Sequence, residues 1–467
     1  MTDEVLHVAV LSFSAFGHLI PFLELSKILA QKGHKVSFIS TPRNIDRLPK
    51  IPPNLATLIN LVKFELPPTH GLPENAEATM DLPIEKLQFL TAAYDKLHEP
   101  IENFVSEESP DWLIHDLFAP WAPCLAAKFG IPSCFCSVFT ASTLVFFGPP
   151  DGLVGAHQRL TPESYAKAPE WVPFPSIVAL RMHEAARVSQ LGNKVEASGM
   201  SSHQRFAMTI EGCDFVAVRS CYEFEGKYLE LLRELYGKPV LPFGLVPSPP
   251  VEKRGAGEGG NGNEYSRIFS WLDEKAKGSI VFVGFGTETR LSMDEVHEMA
   301  FGLELSGLPF VWLLKKPQEG CEGMDLLPQG FETRISNRGV VHVGWAPQAQ
   351  LLAHPAIGGC LFHSGWGSVI EALQWGHTLI VLPFVFDQGL NAKLLVEKGI
   401  ALEIERNKDG SFTKEAVAKG LRQAMVEEEG EPLRVKAREA EAIFADRGLH
   451  DRYMNDFIKY LQDHRRN

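Results

Sequence analysis

The sequence predicts an α/β protein of two domains, each a parallel sheet covered by helices on both faces. Three observations lead there. The chain has 467 residues, more than one hydrophobic core usually serves. Short β-rich runs alternate with amphipathic stretches along both halves, the pattern of a parallel sheet. Between the halves lies VPSPPVEKRGAGEGGNGN, residues 246–263, rich in Pro and Gly and almost free of apolar side chains. That is a linker composition.

The elements follow in order. In the first domain, 1–245, the run HVAVLSF at 7–13 is a strand, followed by Ala15-Phe16-Gly17-His18 and an amphipathic helix that ends at Gly33. Strands are expected again at 35–41 (KVSFIST), 111–115 (DWLIH) and 134–139, with helical patterns over 84–107 and 119–129. The second domain, 264–440, repeats the alternation: strands at 279–284, 310–314, 340–343 and 359–362, and a helix over 293–306. Residues 413–463 carry charged helical patterning, and the last stretch, 441–467, is expected to form a helix that packs back on the first domain. Sheets of this kind bind ligands at the C-terminal ends of their strands, so the site is expected in a cleft between the domains.

Composition narrows the partners. The chain is 45% hydrophobic and 22% charged, with a net charge of -13 and a sequence pI near 5.7. No basic face marks a nucleic-acid binder. A phosphate-bearing ligand remains compatible, because backbone donors bind phosphate within an acidic protein. Seven cysteines lack the dense spacing of a disulfide framework and read as thiols in a reducing compartment. The uncharged run IPSCFCSVFTASTLVFFGPP at 131–150 is broken by Pro, Ser and Thr, and reads as a buried strand leading into a short helix. The acidic N-terminus and the lack of any Asn-x-Ser/Thr sequon agree with a cytoplasmic protein without a membrane span.

The strongest motif is WAPQAQLLAHPAIGGCLFHSGWGSVIEALQWGHTLIVLPFVFDQ, Trp345 to Gln388. A strand over 359–362 runs into His363-Ser364-Gly365 and then a helix from about Trp366. Such a turn aims unpaired backbone N–H groups and the positive end of the helix dipole at an anion. Ser368 and Glu371 are three residues apart and share one helix face. An anion at the helix mouth and a diol one turn deeper are a natural pair of ligands.

This segment resembles, over its whole length, the signature box of the plant secondary-product glycosyltransferases, the family-one UDP-glycosyltransferases of GT-B fold. Fainter similarity runs through Gly17-His18, Trp271-Leu272-Asp273 and Phe285-Gly286-Thr287. The resemblance implies a UDP-sugar co-substrate, with no cofactor and no metal. It implies that His363, Ser368 and Thr287 contact the diphosphate, that Glu371 accepts hydrogen bonds from the ribose, and that Trp345 stacks on uracil beside Gln348. Ala346, Gly365, Trp366 and Gly367 complete the donor set, and Asp387 and Gln388 bond the sugar hydroxyls. The family commonly has Asn at the position of Gly367, so one side-chain contact to phosphate is missing. It usually has Pro or Val near Thr378, a packing difference.

The chemistry is assigned to the first domain. His18 follows a strand and a Gly, and opens the next helix. Asp116 ends the run DWLIHD. Strand ends of a parallel sheet converge on one edge, so the two side chains are expected to meet. A carboxylate on one ring nitrogen fixes the tautomer and leaves the other to take a proton. His115 points to the opposite face of its strand. In the resembled family, this His–Asp pair deprotonates the acceptor hydroxyl, which displaces UDP with inversion.

An acceptor pocket is expected from Phe16, Phe118, Trp121, Phe139, Phe146, Thr140 and Thr143, with Phe386 from the second domain. An aromatic wall with a few hydroxyls suits a flat or ring-fused natural product. The runs SAFGHLIPF, STPRNIDRLPKIP and RSCYEFEGKYLELL resemble the plant group that adds a second sugar, glucose or rhamnose, to flavonoid, triterpenoid or steroidal glycosides. A monomer is expected. Two competing enzyme classes fail on their motifs. Gly284-Phe285-Gly286 is followed by Thr289 where a dinucleotide fingerprint needs Gly. Phe362 stands where a Gly-x-Ser-x-Gly about Ser364 needs its first glycine. A non-catalytic UDP-sugar binder is the serious alternative, against which the His18–Asp116 pair speaks.

Overall fold

The computed structural model describes residues 4–247, 264–315 and 326–466. The linker expected over 246–263 lies, but for its first two residues, outside them. The chain divides into two compact units. The first holds the residues up to Pro175, Ala185–Val246 and everything from Gly448 onward; the second holds Ser176–Glu184 and Pro247–Arg447.

The first unit is built on a seven-stranded, wholly parallel sheet: β1 His7–Leu11, β2 Lys35–Ser40, β3 Ile59–Lys63, β4 Trp112–His115, β5 Ser133–Ser137, β6 Phe215–Val218 and β7 Val240–Pro242, in the order β3-β2-β1-β4-β5-β6-β7. The sequence of β1 shows why both faces are covered. Val8 and Val10 join one apolar cluster with Leu19, Phe22 and Leu23 of the helix Phe16–Gln31. Ala9 and Leu11 join another with Tyr94, Leu97, Ile101 and Leu125 on the opposite face. Alternate side chains of a strand point to opposite faces, so a doubly covered strand reads as a continuous apolar run.

The second unit carries a six-stranded parallel sheet: β8 Ile280–Gly284, β9 Phe310–Leu314, β10 Gly339–Val343, β11 Ile357–Phe362, β12 Thr378–Val381 and β13 Ala401–Glu403, in the order β10-β9-β8-β11-β12-β13. Val281, Val283, Trp312 and Leu361 face the helices Met293–Ser306 and Lys414–Met425 through Met299, Leu303, Val417 and Leu421. Each unit is therefore a parallel, Rossmann-like α/β layer structure of the kind the sequence leads one to expect.

The structure corrects several expectations. The helix expected over 84–107 is a 3₁₀ turn Ile84–Lys86 followed by two helices, Leu87–Asp95 and His98–Glu108. Pro100 lies in the first turn of the second, where a missing N–H costs no intrahelical bond. Not all of 1–245 clusters together. Ser176–Glu184 belongs with the second unit, where the Ser176 hydroxyl donates to the Glu397 carboxylate at 2.8 Å. The C-terminal division falls after Arg447 rather than 440. The helix Glu431–Phe444 stays with the second unit, its Phe444 edge-on to Trp366. The helix Arg447–Asp463 belongs almost entirely to the first, where Trp112 Nε1 donates to the Leu461 carbonyl at 2.8 Å. Among the described residues no helix is long and apolar enough to cross a membrane.

Candidate functional site

Side chains of the expected site gather at the C-terminal edge of each sheet. In the second unit, β11 ends at Phe362, level with Gly284 of β8. The chain then passes through His363 and Ser364, the latter at φ 60°, and enters the helix Trp366–Leu373 with Gly365 as N-cap. The left-handed turn at Ser364 is held by its own side chain, whose hydroxyl donates to the Gln388 carbonyl at 2.8 Å. Asn391, fully buried, donates to the Ser364 carbonyl at 3.1 Å and to the Asp387 carboxylate at 2.7 Å. One amide thus ties the anion-facing turn to an acidic residue expected to meet the sugar.

His363 is buried beneath this turn. Burial, helped by the nearby Lys315 ammonium, pushes its imidazole down to about 4, so at pH 7 it is neutral and one ring nitrogen carries a hydrogen to donate. Two glycines make room for the ring. A Cβ on Gly286, which lies at φ +67°, would fall 2.6 Å from Cε1, and one on Gly365 would fall 2.5 Å from Nε2. The first-turn N–H groups of the helix lack intrahelical acceptors and lie beside it. Ser368 and Glu371 are half-buried on this helix, and the Glu371 carboxylate accepts from Gln348 Nε2 at 2.7 Å. Trp345 follows β10 and is 75% exposed, its carbonyl held by the Tyr265 hydroxyl at 2.9 Å. An indole anchored by its backbone and open on its surface can stack on a planar base. Thr287 is exposed on the turn after β8.

Other members of the expected donor set are placed differently. The Trp366 ring is buried against Phe444, so this residue offers the site its backbone N–H alone. Ala346 is buried, and Gly367 is half-buried in the first helical turn. Gln388 is only 4% exposed, and its Oε1 accepts from Phe384 N–H and Val385 N–H at 2.9 and 3.0 Å. Its oxygen therefore shapes the loop that precedes it. Asp387, half-buried, stands just before the helix Gln388–Glu397, with no capping bond from its side chain. Phe386 projects at 55% exposure with φ 56°.

In the first unit the expected pair meets. His18 lies in the first turn of the helix Phe16–Gln31, and its Nδ1 stands 2.8 Å from Asp116 Oδ2. Asp116 follows β4, is 1% exposed, and is fixed by three bonds: its N–H donates to the Leu11 carbonyl, and its carboxylate accepts from Phe13 N–H and Leu117 N–H. A carboxylate accepts, so Nδ1 carries the hydrogen and Nε2, on the far side of the ring, is the basic nitrogen. His115 is buried against Phe135, and burial pushes it down to about 4; it takes no part in the pair.

Two of the expected aromatics flank His18 directly. Phe139 lies edge-on with centroids 5.4 Å apart, and Phe118 at 6.1 Å. Both are half-buried, as is Trp121, which packs on His98. Four other members of the expected acceptor set, Phe16, Phe146, Thr140 and Thr143, are buried. Phe16 is buried in the core beneath the sheet. Phe146 is buried against Phe147, Tyr165 and the Arg159 guanidinium. Thr140 is the N-cap of the helix Ala141–Phe147, and its hydroxyl donates to Thr143 Oγ1 at 2.9 Å; both are buried. The Thr140 hydroxyl caps the helix by accepting from the Thr143 N–H at 3.2 Å.

Several contributors were not visible as site residues beforehand. Phe13 stacks on Phe118 with centroids 4.0 Å apart, and the fully buried Tyr94 donates to the Ser12 carbonyl at 2.9 Å. Together they brace the turn that carries His18. Asn391 and Lys315 play no part in the resemblance, and their signal is spatial. The His/Cys/Asp/Glu groups of the described residues form no cluster of three that could hold a metal ion.

Comparison with known proteins fits this geometry. Residues 265–429 match the family described as UDP-glucoronosyl and UDP-glucosyl transferase. UDP-glycosyltransferase 91C1 of Arabidopsis thaliana is 44% identical over 461 residues, 98% of this chain and 97% of that protein. Soyasaponin III rhamnosyltransferase of Glycine max is 42% identical over 464 residues, 99% and 97% of the two chains. Among solved structures, Glycyrrhiza uralensis UGT73P12 complexed with glycyrrhetinic acid 3-O-monoglucuronide is similar in fold, with a TM-score of 0.78 at 23% identity, over 98% of this chain and 96% of that one. Arabidopsis thaliana UGT89C1 complexed with UDP-L-rhamnose gives a TM-score of 0.74 at 24% identity, over 98% and 99%.

Proposed function

The chain belongs to the plant family-one UDP-glycosyltransferases, and we propose that within that family it transfers glucose or rhamnose from its UDP donor to the sugar of a small-molecule glycoside. In this reading the first unit holds the acceptor and the second the donor. The acceptor hydroxyl gives its proton to His18 Nε2 while Asp116 steadies the imidazolium that forms. The alkoxide oxygen attacks the anomeric carbon, the C1–O bond to phosphate breaks, and UDP leaves with the electron pair, so configuration inverts. The neutral His363 N–H, the helix N-terminus, Ser368 and Thr287 receive the charge that grows on the diphosphate. Trp345 and Glu371 hold uracil and ribose, and Asp387 with Gln388 meets the sugar.

The observation that carries this reading is the 2.8 Å bond from His18 to a buried, three-times-anchored Asp116. A protein that only bound UDP-sugars would have no use for an oriented base at the other sheet. The preference for a glycoside acceptor is supported by the relative named a soyasaponin III rhamnosyltransferase, and by one named Mogroside IIIx synthase, 35% identical over 440 residues. A UDP-release assay tests it, run with UDP-glucose and UDP-rhamnose against glycosides and their matching aglycones. Release with glycosides but not aglycones is expected. Equal release with the aglycones would favour a transferase acting on the aglycone hydroxyl, the second reading.

A further inference from the structure

The row of residues just past the strand ends of the second sheet holds one cation that the family resemblance does not assign. Strand order there is β10-β9-β8-β11. Leu314 of β9 pairs with Val343 of β10, and Gly344 N–H donates to the Leu314 carbonyl. Leu313 pairs with Gly284 of β8, which in turn is level with Phe362 of β11. One step beyond that line, Lys315 stands between Gly344-Trp345 on one side and Gly286-Thr287 on the other, with His363 one strand further on. A ligand whose base stacks on Trp345 and whose anion reaches His363 must cross this position.

We propose that Lys315 is a further donor-binding residue, whose ammonium holds the diphosphate of the UDP-sugar. This rests on the donor site described above. Three facts support it. Lys315 is close enough to His363 for its charge to depress that imidazole. It is half-buried, and burial together with the Arg290 charge pushes it down to about 8, against the pull of Glu288, so it remains mostly cationic at pH 7. A half-buried ammonium is partly desolvated, and a phosphate oxygen beside it offsets that cost. Gly367, which lacks the amide common in the family, leaves the diphosphate one side-chain contact short, and an ammonium from β9 supplies one.

Calorimetry with uridine, UMP and UDP against the wild type, Lys315→Met, Lys315→Gln and Lys315→Arg tests this. A charge-assisted bond lost from the diphosphate should weaken UDP about ten- to a hundredfold in the Met and Gln variants. Uridine should bind all four proteins alike, and Arg should restore most of the UDP affinity. Unchanged UDP affinity in Met and Gln would overturn the proposal, and so would an equal loss for uridine and UDP, which marks a loop that merely shifted. A wild type that binds no UDP at all would instead sink the donor-site reading itself.

Discussion

His18 and His363 occupy matching places in the two units. Each follows the C-terminal end of a central parallel strand, β1 or β11, and each sits at the mouth of the next helix. Their surroundings make them opposites. His18 is half-buried and turned onto a carboxylate, which makes its far nitrogen a base. His363 is sealed under a turn beside a lysine, which leaves it a neutral donor. The lesson is that fold and residue type set where an imidazole stands, while the neighbouring charge sets whether it takes a proton or offers one.

The largest effect that sharpens this contrast is expected at the first unit. Asp116→Asn keeps the shape but removes the charge that fixes Nδ1–H, and turnover should fall about 10²–10⁴-fold with the Michaelis constant for donor unchanged. A donor constant that rose instead would place Asp116 in binding. In the second unit the loss should appear in affinity. Glu371→Ala removes a charged acceptor and should weaken the UDP-sugar about ten- to a hundredfold; a normal donor constant would contradict the ribose assignment.

Gly286→Ala puts a Cβ into the His363 ring at a positive φ, and should cost about 1–3 kcal/mol of stability together with donor affinity. An alanine variant that melts and binds like wild type would show that the ring moves aside freely. The smallest effect is shared by both units. His115 and His203 in the first, and His363 and His377 in the second, are all pushed down to about 4 by burial, against 6.5 when exposed. The unfolded chain therefore binds more protons between those values. Stability from these groups is complete above about pH 6.5 and is lost as pH falls towards 4. Melting temperature should drop by roughly a few degrees between pH 7 and pH 5, and a flat profile would contradict the burial of these rings.

Much of this was legible in the sequence, for identifiable reasons. The donor turn could be read because strand, His363, helix start, Ser368 and Glu371 are contiguous, and their spacing is their geometry. The His18–Asp116 pair could be read although 98 residues separate it, because parallel strand ends converge. The orientation of the acceptor-set residues was not legible. Phe118 and Phe139 flank His18, but Phe16, Phe146, Thr140 and Thr143 turn inward, and an aromatic or hydroxyl near a strand end looks the same in sequence whichever way it faces. Five strands, β3, β6, β7, β12 and β13, lay beyond the expected set, and those at the sheet edges are only three to five residues long. Lys315 and Asn391 could not be singled out, since their roles depend on strand order and on contacts across up to 27 positions.

The contrast between an oriented base in one unit and a donor shelf in the other is tested most directly by His18→Ala, measured for turnover and for UDP affinity on the same preparation. The account predicts a loss of about 10²–10⁴-fold in turnover with the dissociation constant for UDP unchanged. Turnover that survives, or UDP binding that falls along with it, would contradict the division of labour between the two histidines.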